Sequence, residues 1–429
     1  GSQLERRDSR TGIPAPNRLT EIPITNDRSP ATPRTPTRHQ EVQINLKRAS
    51  PWMSRVRVRD YKSIAGCDVA VGPLTLLVGP NGAGKSNFLD ALAFVADAVT
   101  TTPHQAIETR KRLSEILRRV PEPAQSFSVV LDFVRDRGRD ESEWERWTYG
   151  FEIAPASGSS AAFEVRWEEC RMTRGPERTA GFRVERGIVG HPDRYRGAAV
   201  EPGNLFVPTI GTVSPRLSQL TGTLRGMRFY DIDTSTLRLP QPSVERAVLG
   251  RRGEHLGDVL GDLLTTYPEV KARVDDYMAA VAPGVTGIER QTAGRYVTVE
   301  MRQRTEVGAE ARFGPDAVSD GTIRAAGVLA ALFQPPVRDR HINLVGIETP
   351  EAGLHPAAAD ALYDALTEAA ESVQVIATTQ SNSWLDRDDI DPDSVLAFAN
   401  SAGATIIGPL DATRRRLIQD GLYTVGRTT

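Results

Sequence analysis

At residues 79–86 the chain reads Gly79-Pro80-Asn81-Gly82-Ala83-Gly84-Lys85-Ser86, which fits the pattern G-x-x-x-x-G-K-[ST]. An apolar run, Leu74–Val78, precedes it, as in a strand buried on both faces, and a helical pattern to about Val99 follows. Glycines let a backbone close around phosphate oxygens without Cβ clashes, and the helix N-terminus adds positive potential. This order predicts a phosphate-binding loop within an α/β fold.

The predicted loop assigns roles to its side chains. Lys85 would reach the β- and γ-phosphates, and the Ser86 hydroxyl would be a ligand of Mg²⁺. The residues that we expect around the phosphates are Gly79, Asn81, Gly82, Ala83, Gly84, Lys85, Ser86 and Asn87. The alternative is an ordinary glycine-rich turn, which the flanking strand and helix disfavour.

A carboxylate far along the chain is a candidate partner of this loop. Ile342–Ile347 has the apolar character of a buried strand, and it ends at Glu348. A nucleotide in a phosphate-binding loop needs such a carboxylate to hold Mg²⁺, at the end of a neighbouring buried strand. The alternative is that Glu348 merely begins a solvated loop.

A second anion-binding edge is expected at Ser319-Asp320-Gly321-Thr322, just before a helical pattern that ends at Phe333. A serine, a glycine and a helix N-terminus together favour an anion. Taken alone, Ser319-Asp320 is also a plain helix cap.

The composition is that of a soluble globular protein, with 39% hydrophobic and 25% charged residues. The net charge of −2 does not suggest that the molecule as a whole binds nucleic acid. Two cysteines, Cys67 and Cys170, offer no disulfide framework, so we expect a cytoplasmic protein. No apolar run approaches the roughly 18 residues of a membrane span.

The chain divides by composition. Residues 1–52 read as a disordered tail, with seven prolines and nine Lys/Arg against five Asp/Glu; the tail is a solvated linker or contacts an acidic partner or nucleic acid. Residues 53–125 and 303–429 have α/β character, and residues 126–302 interrupt it. Alternating segments within 127–189 predict an antiparallel meander, residues 190–222 read as irregular, and helices follow.

The chain resembles the ABC-type ATPases of the RecF/SMC-like AAA family, in particular short members without coiled-coil arms or a Toprim domain. The residues that carry the resemblance are Tyr61-Lys62-Ser63-Ile64, the loop at 79–86 as Walker A, Ser319-Asp320-Gly321-Thr322 as signature motif, Ile347-Glu348-Thr349-Pro350-Glu351-Ala352-Gly353-Leu354-His355-Pro356 as Walker B with the D-loop, and Ala377-Thr378-Thr379-Gln380-Ser381 as switch.

The resemblance implies a P-loop NTPase fold of the ABC-ATPase head type over 53–429, with a nucleotide-binding core at 53–125 and 303–429. The segment 126–302 would be a β-rich, lid-like and helical insert. The family binds ATP and Mg²⁺, and two heads dimerise so that the signature of one, here Ser319 and Gly321, meets the γ-phosphate of the other. A glutamine normally senses Mg²⁺ and the attacking water, and Gln125 is our candidate.

Two departures from the family bear on catalysis. A catalytic Glu usually follows the Walker B acid, where this chain has Thr349, and a His usually stands in the switch, where it has Gln380. A threonine hydroxyl cannot act as a base, whereas a glutamine can still orient a water. Glu351 is a candidate to compensate for the missing catalytic Glu. It lies two residues after Thr349, however, and is expected to point elsewhere. We therefore expect slow hydrolysis with ATP binding intact.

Two functions are compatible with these features. The first is an ATP-gated dimerising switch or clamp that controls a protein partner and that, by analogy with the family, is a homodimer formed through the signature motif. The alternative is a RecF-like DNA-binding ATPase in DNA repair or phage defence. The arginine-rich stretch Thr109–Arg119 is its candidate DNA contact, unless that stretch is a solvated helix face.

Lys85→Ala should abolish ATP binding, because the loop then lacks the ammonium that reaches the β- and γ-phosphates. Titration with a fluorescent ATP analogue measures this. Lys111→Ala, outside the motif, is the matched control and should bind as the wild type does. Retained micromolar affinity in Lys85→Ala would contradict the assignment of the loop.

Overall fold

The computed structural model describes residues 51–135, 144–156, 162–175, 177–305, 308–334 and 341–410. All but the last two residues of the tail predicted at 1–52 lie outside the described residues. The strands of the described part are β1 (Trp52–Tyr61), β2 (Ile64–Ala70), β3 (Leu74–Val78), β4 (Phe127–Arg135), β5 (Glu145–Pro155), β6 (Phe163–Arg174), β7 (Glu177–Glu185), β8 (Ile188–His191), β9 (Met227–Tyr230), β10 (Gln241–Pro242), β11 (Val285–Ala293), β12 (Tyr296–Arg304), β13 (Glu310–Phe313), β14 (Leu344–Ile347), β15 (Gln374–Thr379), β16 (Val395–Ser401) and β17 (Ala404–Pro409).

The first of the helices begins directly after the glycine-rich turn. They are α1 (Lys85–Thr100), α2 (Pro103–Thr109), α3 (Leu113–Ile116), α4 (Val207–Val213), α5 (Pro215–Arg225), α6 (Thr234–Arg238), α7 (Leu256–Thr266), α8 (Pro268–Val281), α9 (Asp320–Phe333), α10 (Pro356–Ala369) and α11 (Asn382–Leu385). Among the described helices, none combines the length and the apolar character that crossing a bilayer requires.

Thirteen strands form one mixed sheet, in the order β8-β7-β6-β5-β4-β1-β2-β17-β16-β3-β15-β14-β9. Strands β16, β3, β15, β14 and β9 pair in parallel, and the half from β8 to β2 is antiparallel. A second sheet has the order β10-β12-β11, with β13 paired to β12. The parallel half brings the carboxyl ends of its strands to one edge.

The large sheet separates two hydrophobic layers. Leu77 of β3 packs in the same cluster as Phe88 and Leu92 of α1. Its neighbours Leu76 and Val78 point to the other face, where the cluster includes α7, α8, α9 and α10. This alternation follows from the period of two along a strand. Helices α1 and α9 therefore lie on opposite faces of the sheet.

The predicted meander is present, and it is continuous with the large sheet through the pairing of β4 with β1. The run predicted as one strand to Val189 is two, β7 and β8. Arg186 and Gly187 separate them with φ of 46° and 75°, as a tight hairpin turn requires. The domain boundaries at residues 53, 126 and 303 stay a prediction.

The prediction that residues 190–222 are irregular is wrong over α4 and most of α5. Proline occurs within the first two positions of both helices, where its missing N–H costs nothing and its fixed φ suits the helix. Leu217, Leu220 and Leu224 are spaced three and four apart and are buried against the main cluster. The prolines thus begin helices that a reading of composition alone treated as loops.

A buried carboxylate holds α4 against the sheet. Glu168 of β6 accepts hydrogen bonds from the Tyr149 hydroxyl at 3.0 Å, from the Val207 amide at 3.0 Å and from the Phe206 amide. Burial raises the pKa of Glu168 from its ordinary value of 4.5 to about 7, against the opposing effect of these donors.

The raised pKa makes stability depend on pH. Glu168 binds its proton more tightly in the folded state, so its contribution is fully present below pH 4.5 and is lost as the pH rises to about 7. A shift of this size corresponds to about 3 kcal/mol. Between pH 5 and pH 8, urea unfolding of the wild type should therefore show a loss of stability that Glu168→Gln lacks. Identical pH profiles would contradict the buried, proton-binding carboxylate.

Candidate nucleotide site

The predicted site residues collect at the carboxyl edge of the parallel strands. The phosphate-binding loop follows β3, the switch segment ends β15, and Glu348 follows β14. Strand β15 lies between β3 and β14 in parallel register. The order of the strands thus brings segments from both ends of the sequence to one edge, as expected for a nucleotide site in an α/β sheet.

The closest contact across this edge joins Ser86 and Glu348. The Ser86 hydroxyl donates to Oε2 of Glu348 at 2.6 Å, although the two residues are 262 positions apart. A hydroxyl and a carboxylate are the oxygen ligands that Mg²⁺ takes in P-loop sites. The residues present therefore fit this ion, and Ser86 and Glu348 would hold it.

Glu348 lies in a partly buried environment of mixed charge. Burial raises its pKa and the hydrogen bond from Ser86 opposes this, while Asp231 adds to the increase and Arg251 opposes it. Asp231 follows Tyr230 at the end of β9, and Glu348 follows Ile347 at the end of β14. Tyr230 and Ile347 are paired, so Asp231 and Glu348 lie next to each other at the end of the two strands. The sequence analysis missed Asp231, since it identified no strand at β9.

The loop closes tightly against the hairpin of β16 and β17. Gly79, Gly82 and Gly84 have φ of 150°, 77° and 102°, and all three values favour glycine. A Cβ on Gly84 would collide with the side chain of Thr405 of β17. The glycine is therefore required by close packing as well as by backbone conformation.

Thr405 also belongs to a chain of polar contacts beside the loop. The Thr405 hydroxyl lies 2.7 Å from the Ser63 hydroxyl, which accepts a hydrogen bond from the Asn87 amide group at 2.7 Å. Ser63 comes from the segment before the loop and Asn87 follows Ser86. The predicted contact between Asn87 and a nucleotide stays a prediction; in the structure Asn87 ties α1 to β17 through Ser63.

Lys85 folds back over its own loop. Its ammonium donates to the carbonyls of Gly79 at 2.6 Å and Pro80 at 2.9 Å. Burial lowers the pKa of Lys85, and the charge of Glu351 opposes this. By contrast, Asn81 and Gly82 are exposed and Ala83 is buried. The tip of the loop is therefore open to a ligand.

Glu351 contacts the switch and does not point away, contrary to expectation. Its Oε1 accepts from the Thr379 hydroxyl at 2.7 Å and from the backbone N–H of Gln380 at 2.8 Å. Its Oε2 is buried and has no hydrogen-bond partner among the described residues. Glu351, Thr349 and Gln380 line one cleft of about 390 Å³.

Thr349 has an uncommon backbone conformation, with φ of 37°. Its amide donates to the Thr378 hydroxyl at 2.9 Å, which ties the residue to the end of β15. The two positions at which the chain departs from the family that it resembles, 349 and 380, thus line the same cleft.

The signature segment begins α9 on the other face of the sheet from α1. Ser319 is exposed and caps the helix by accepting from the Thr322 amide at 3.2 Å. Asp320 is exposed and pairs with Arg238 at 2.7 Å. A Cβ on Gly321 would collide with the Gly353 carbonyl, so the signature lies directly against the loop that follows Glu348.

Gln125 is exposed two residues before β4, and its predicted role as a sensor of Mg²⁺ stays a prediction. The arginine-rich stretch Thr109–Arg119 is largely neutralised within the protein. Arg110 is buried and pairs with Asp90 at 2.9 Å, and Arg118 pairs with Asp60 at 2.7 Å. Lys111, Arg112 and Arg119 are exposed, so a contact of this stretch with DNA stays a prediction; the buried Arg110 is not part of a solvated helix face.

Comparisons with known proteins agree with this geometry. Residues 74–153 and 299–386 match the family model described as "AAA domain, putative AbiEii toxin, Type IV TA system". A solved SMC head bound to the C-terminal winged-helix domain of ScpA has a TM-score of 0.51 to this chain, covering 85% of it and 99% of that structure at 13% identity. The chain therefore has the fold of an SMC-type head, and its two matched ranges resemble an AAA domain. These matches confirm the predicted α/β fold of the ABC-ATPase head type and the resemblance to RecF/SMC-like ATPases.

Two curated proteins match shorter parts of the head. Structural maintenance of chromosomes protein 1B of Mus musculus is 34% identical over 91 residues, 20% of this chain and 7% of that protein. The OLD nuclease of Thermus scotoductus is 42% identical over 43 residues, 10% of this chain and 8% of that protein. The head thus shares a short segment with each of these relatives.

Glu348→Gln and Ser86→Ala should each weaken the effect of Mg²⁺ on ATP binding by the head. Each removes one oxygen ligand, and we expect at least a tenfold loss, about 1.4 kcal/mol. Titrations with a fluorescent ATP analogue, with Mg²⁺ and with EDTA, separate this from a loss of binding. Glu245→Gln removes an exposed carboxylate elsewhere and should behave as the wild type. An unchanged Mg²⁺ effect in Glu348→Gln would contradict the site.

Proposed function

We propose that this chain binds ATP with Mg²⁺ and acts as an ATP-gated dimerising switch or clamp that hydrolyses ATP slowly. The observation that carries the proposal is the 2.6 Å contact between Ser86 and Glu348. It brings the helix that follows the glycine-rich loop against the acidic strand end, which is what a metal-bound triphosphate requires.

The position of the signature supports dimerisation. Ser319 and Asp320 are exposed at the start of α9, and α9 packs on the face of the sheet opposite α1. The Ser319 hydroxyl contacts Thr322 of its own helix. The exposed N-terminus of α9 is thus available to the γ-phosphate held by a second copy, whose negative charge it would favour.

A protein partner is proposed from the likeness to a solved head. That SMC head is bound to a winged-helix domain of ScpA. We propose that this chain likewise transmits its nucleotide state to another protein. Nucleic acid is the less favoured partner, because Arg110 and Arg118 are already paired with carboxylates of the head.

Slow turnover is proposed from the residue after Glu348. Thr349 has a hydroxyl where a carboxylate would activate water, and general-base catalysis by a well-placed group contributes roughly 10²–10⁴-fold. A slowly hydrolysed nucleotide keeps a dimer closed for longer, which suits a switch.

Mg-ATP should convert monomers of the wild type into dimers, measured by size-exclusion chromatography with light scattering. Ser319→Arg should stay monomeric, because a bulky side chain at the exposed start of α9 blocks the approach of the second copy. ATP binding by each variant, measured separately, should be unchanged.

The matched control for this experiment is Ser372→Arg. Ser372 is also exposed but lies just before β15, at the opposite end of the parallel strands from the phosphate-binding loop. This variant should dimerise as the wild type does. A wild type that remains monomeric at high concentration with Mg-ATP would rule out the dimeric model.

A further inference from the structure

The stretch of chain that leads into the signature is held by one arginine. Arg238 is the last residue of α6. Its guanidinium donates to the carbonyls of Pro315 and Val318, the latter at 2.8 Å, and to the carboxylate of Asp320 at 2.7 Å. A planar guanidinium offers five donors in a fixed fork, so it can satisfy several acceptors at once. Arg238 thus ties α6 to the residues on both sides of Ser319.

Helix α6 is itself fixed in place beside the signature helix. Asp233 caps α6 by accepting from two backbone N–H groups of its first turn. Leu237 is buried beside α9, where a Cβ added to Gly327 would lie 3.2 Å from its side chain. Capping and close packing therefore hold α6 against α9 independently of the ion pair. Arg238, which ends α6, is thus positioned beside the signature by the fold.

Asp320 places a negative charge at the start of α9. It is the first residue of that helix, and its side chain is 74% exposed. The proposed dimer brings the γ-phosphate of a second copy to this end, and like charges brought together across an interface repel strongly. Arg238 supplies the opposite charge at 2.7 Å. The ion pair thus cancels a charge at the start of α9 that would otherwise oppose a phosphate.

We propose that Arg238 is a positioning residue of the signature, which neutralises Asp320 and so allows the start of α9 to receive the γ-phosphate of a second copy. This inference rests on the proposed ATP-gated dimerisation. Arg238 acts through Asp320 and does not itself bind the nucleotide. Without the guanidinium, the free carboxylate would repel the triphosphate that the other copy holds.

A substitution of Arg238 should spare the nucleotide site of its own head. That site is proposed at the carboxyl edge of the parallel strands, where Ser86 donates to Glu348 at 2.6 Å. The acceptors of Arg238 instead lie at the start of α9, which packs on the face of the sheet opposite α1. ATP binding and dimerisation can therefore be measured as separate properties of the same variant.

The test compares the wild type with Arg238→Gln, in which the positive charge is lost. The dissociation constant of the Mg-ATP dimer, measured by sedimentation velocity over a range of protein concentrations, should rise at least about tenfold. Binding of a fluorescent ATP analogue by the monomer should change less than about threefold. Arg238→Lys keeps a positive charge beside Asp320, so both quantities should stay within about threefold of the wild type.

A double-mutant cycle with Asp320→Asn separates the charge of Arg238 from its contacts with the backbone. In this background no carboxylate remains to be neutralised, so Arg238→Gln should weaken the dimer less than about threefold. If Arg238 served only to hold the two backbone carbonyls, the loss would be equal in both backgrounds. Arg196→Gln breaks an exposed ion pair with Asp193 in another part of the head. It is the matched control and should dimerise as the wild type does.

The proposal is overturned if Arg238→Gln dimerises within about threefold of the wild type, or if its loss is the same in the Asp320→Asn background. It is also overturned if Arg238→Lys loses as much as Arg238→Gln, because the charge is then not what matters. Each of these results leaves ATP-gated dimerisation standing. A wild type that remains monomeric with Mg-ATP overturns the dimeric function, and the role of Arg238 with it. A wild type that does not bind the analogue overturns the nucleotide site as well.

Discussion

The hydrogen bond between the Ser86 hydroxyl and the Glu348 carboxylate depends on the order of four strands. Strands β3, β15, β14 and β9 run in parallel, so their carboxyl ends share one edge. The loop after β3 supplies Ser86, and the residue after β14 is Glu348. Burial at this edge disfavours the charged carboxylate, so a bound cation would relieve a cost that the fold imposes. The switch segment at the end of β15 takes its position from the same edge.

The same sheet that joins these residues also separates the helices. Alternation along β3 sends Leu77 toward α1 and Leu76 and Val78 toward the layer that contains α9. The loop and the signature therefore begin helices in different layers. A single head presents the signature outward, and in the proposed dimer a second head would complete the site. The layered architecture thus supports an assembly-dependent function more directly than any one side chain does.

Much of this architecture could be predicted from the sequence, and the misses have physical reasons. Strand β3 and helix α9 match the predicted bounds, because continuous apolar runs and a serine cap are strong local signals. Helices α4 and α5 were hidden by prolines that in fact begin them. The four-residue strand β9 is too short for any periodicity to show, and with it Asp231 was missed.

Site contacts were harder to predict than elements. The motif at 79–86 identifies Lys85 and Ser86, but nothing local indicates that Thr405 packs against Gly84 from a hairpin more than 300 residues on. The orientation of Glu351 depends on donors from β15, which are distant in sequence. The sequence suggested that Arg110 is a surface charge, but in the structure it is buried and forms an ion pair with Asp90. Long-range partners of this kind decide where a polar side chain points.

The contact of Gly321 with Gly353 has a mechanical consequence. Neither residue has a side chain, and the two backbones lie so close that a displacement of the loop beyond the acidic strand end would press directly on the start of α9. In the proposed dimer, α9 of each copy addresses the nucleotide of the other. A displacement of the loop beside one triphosphate would then be transmitted to the second nucleotide site through the backbone contact between Gly353 and Gly321.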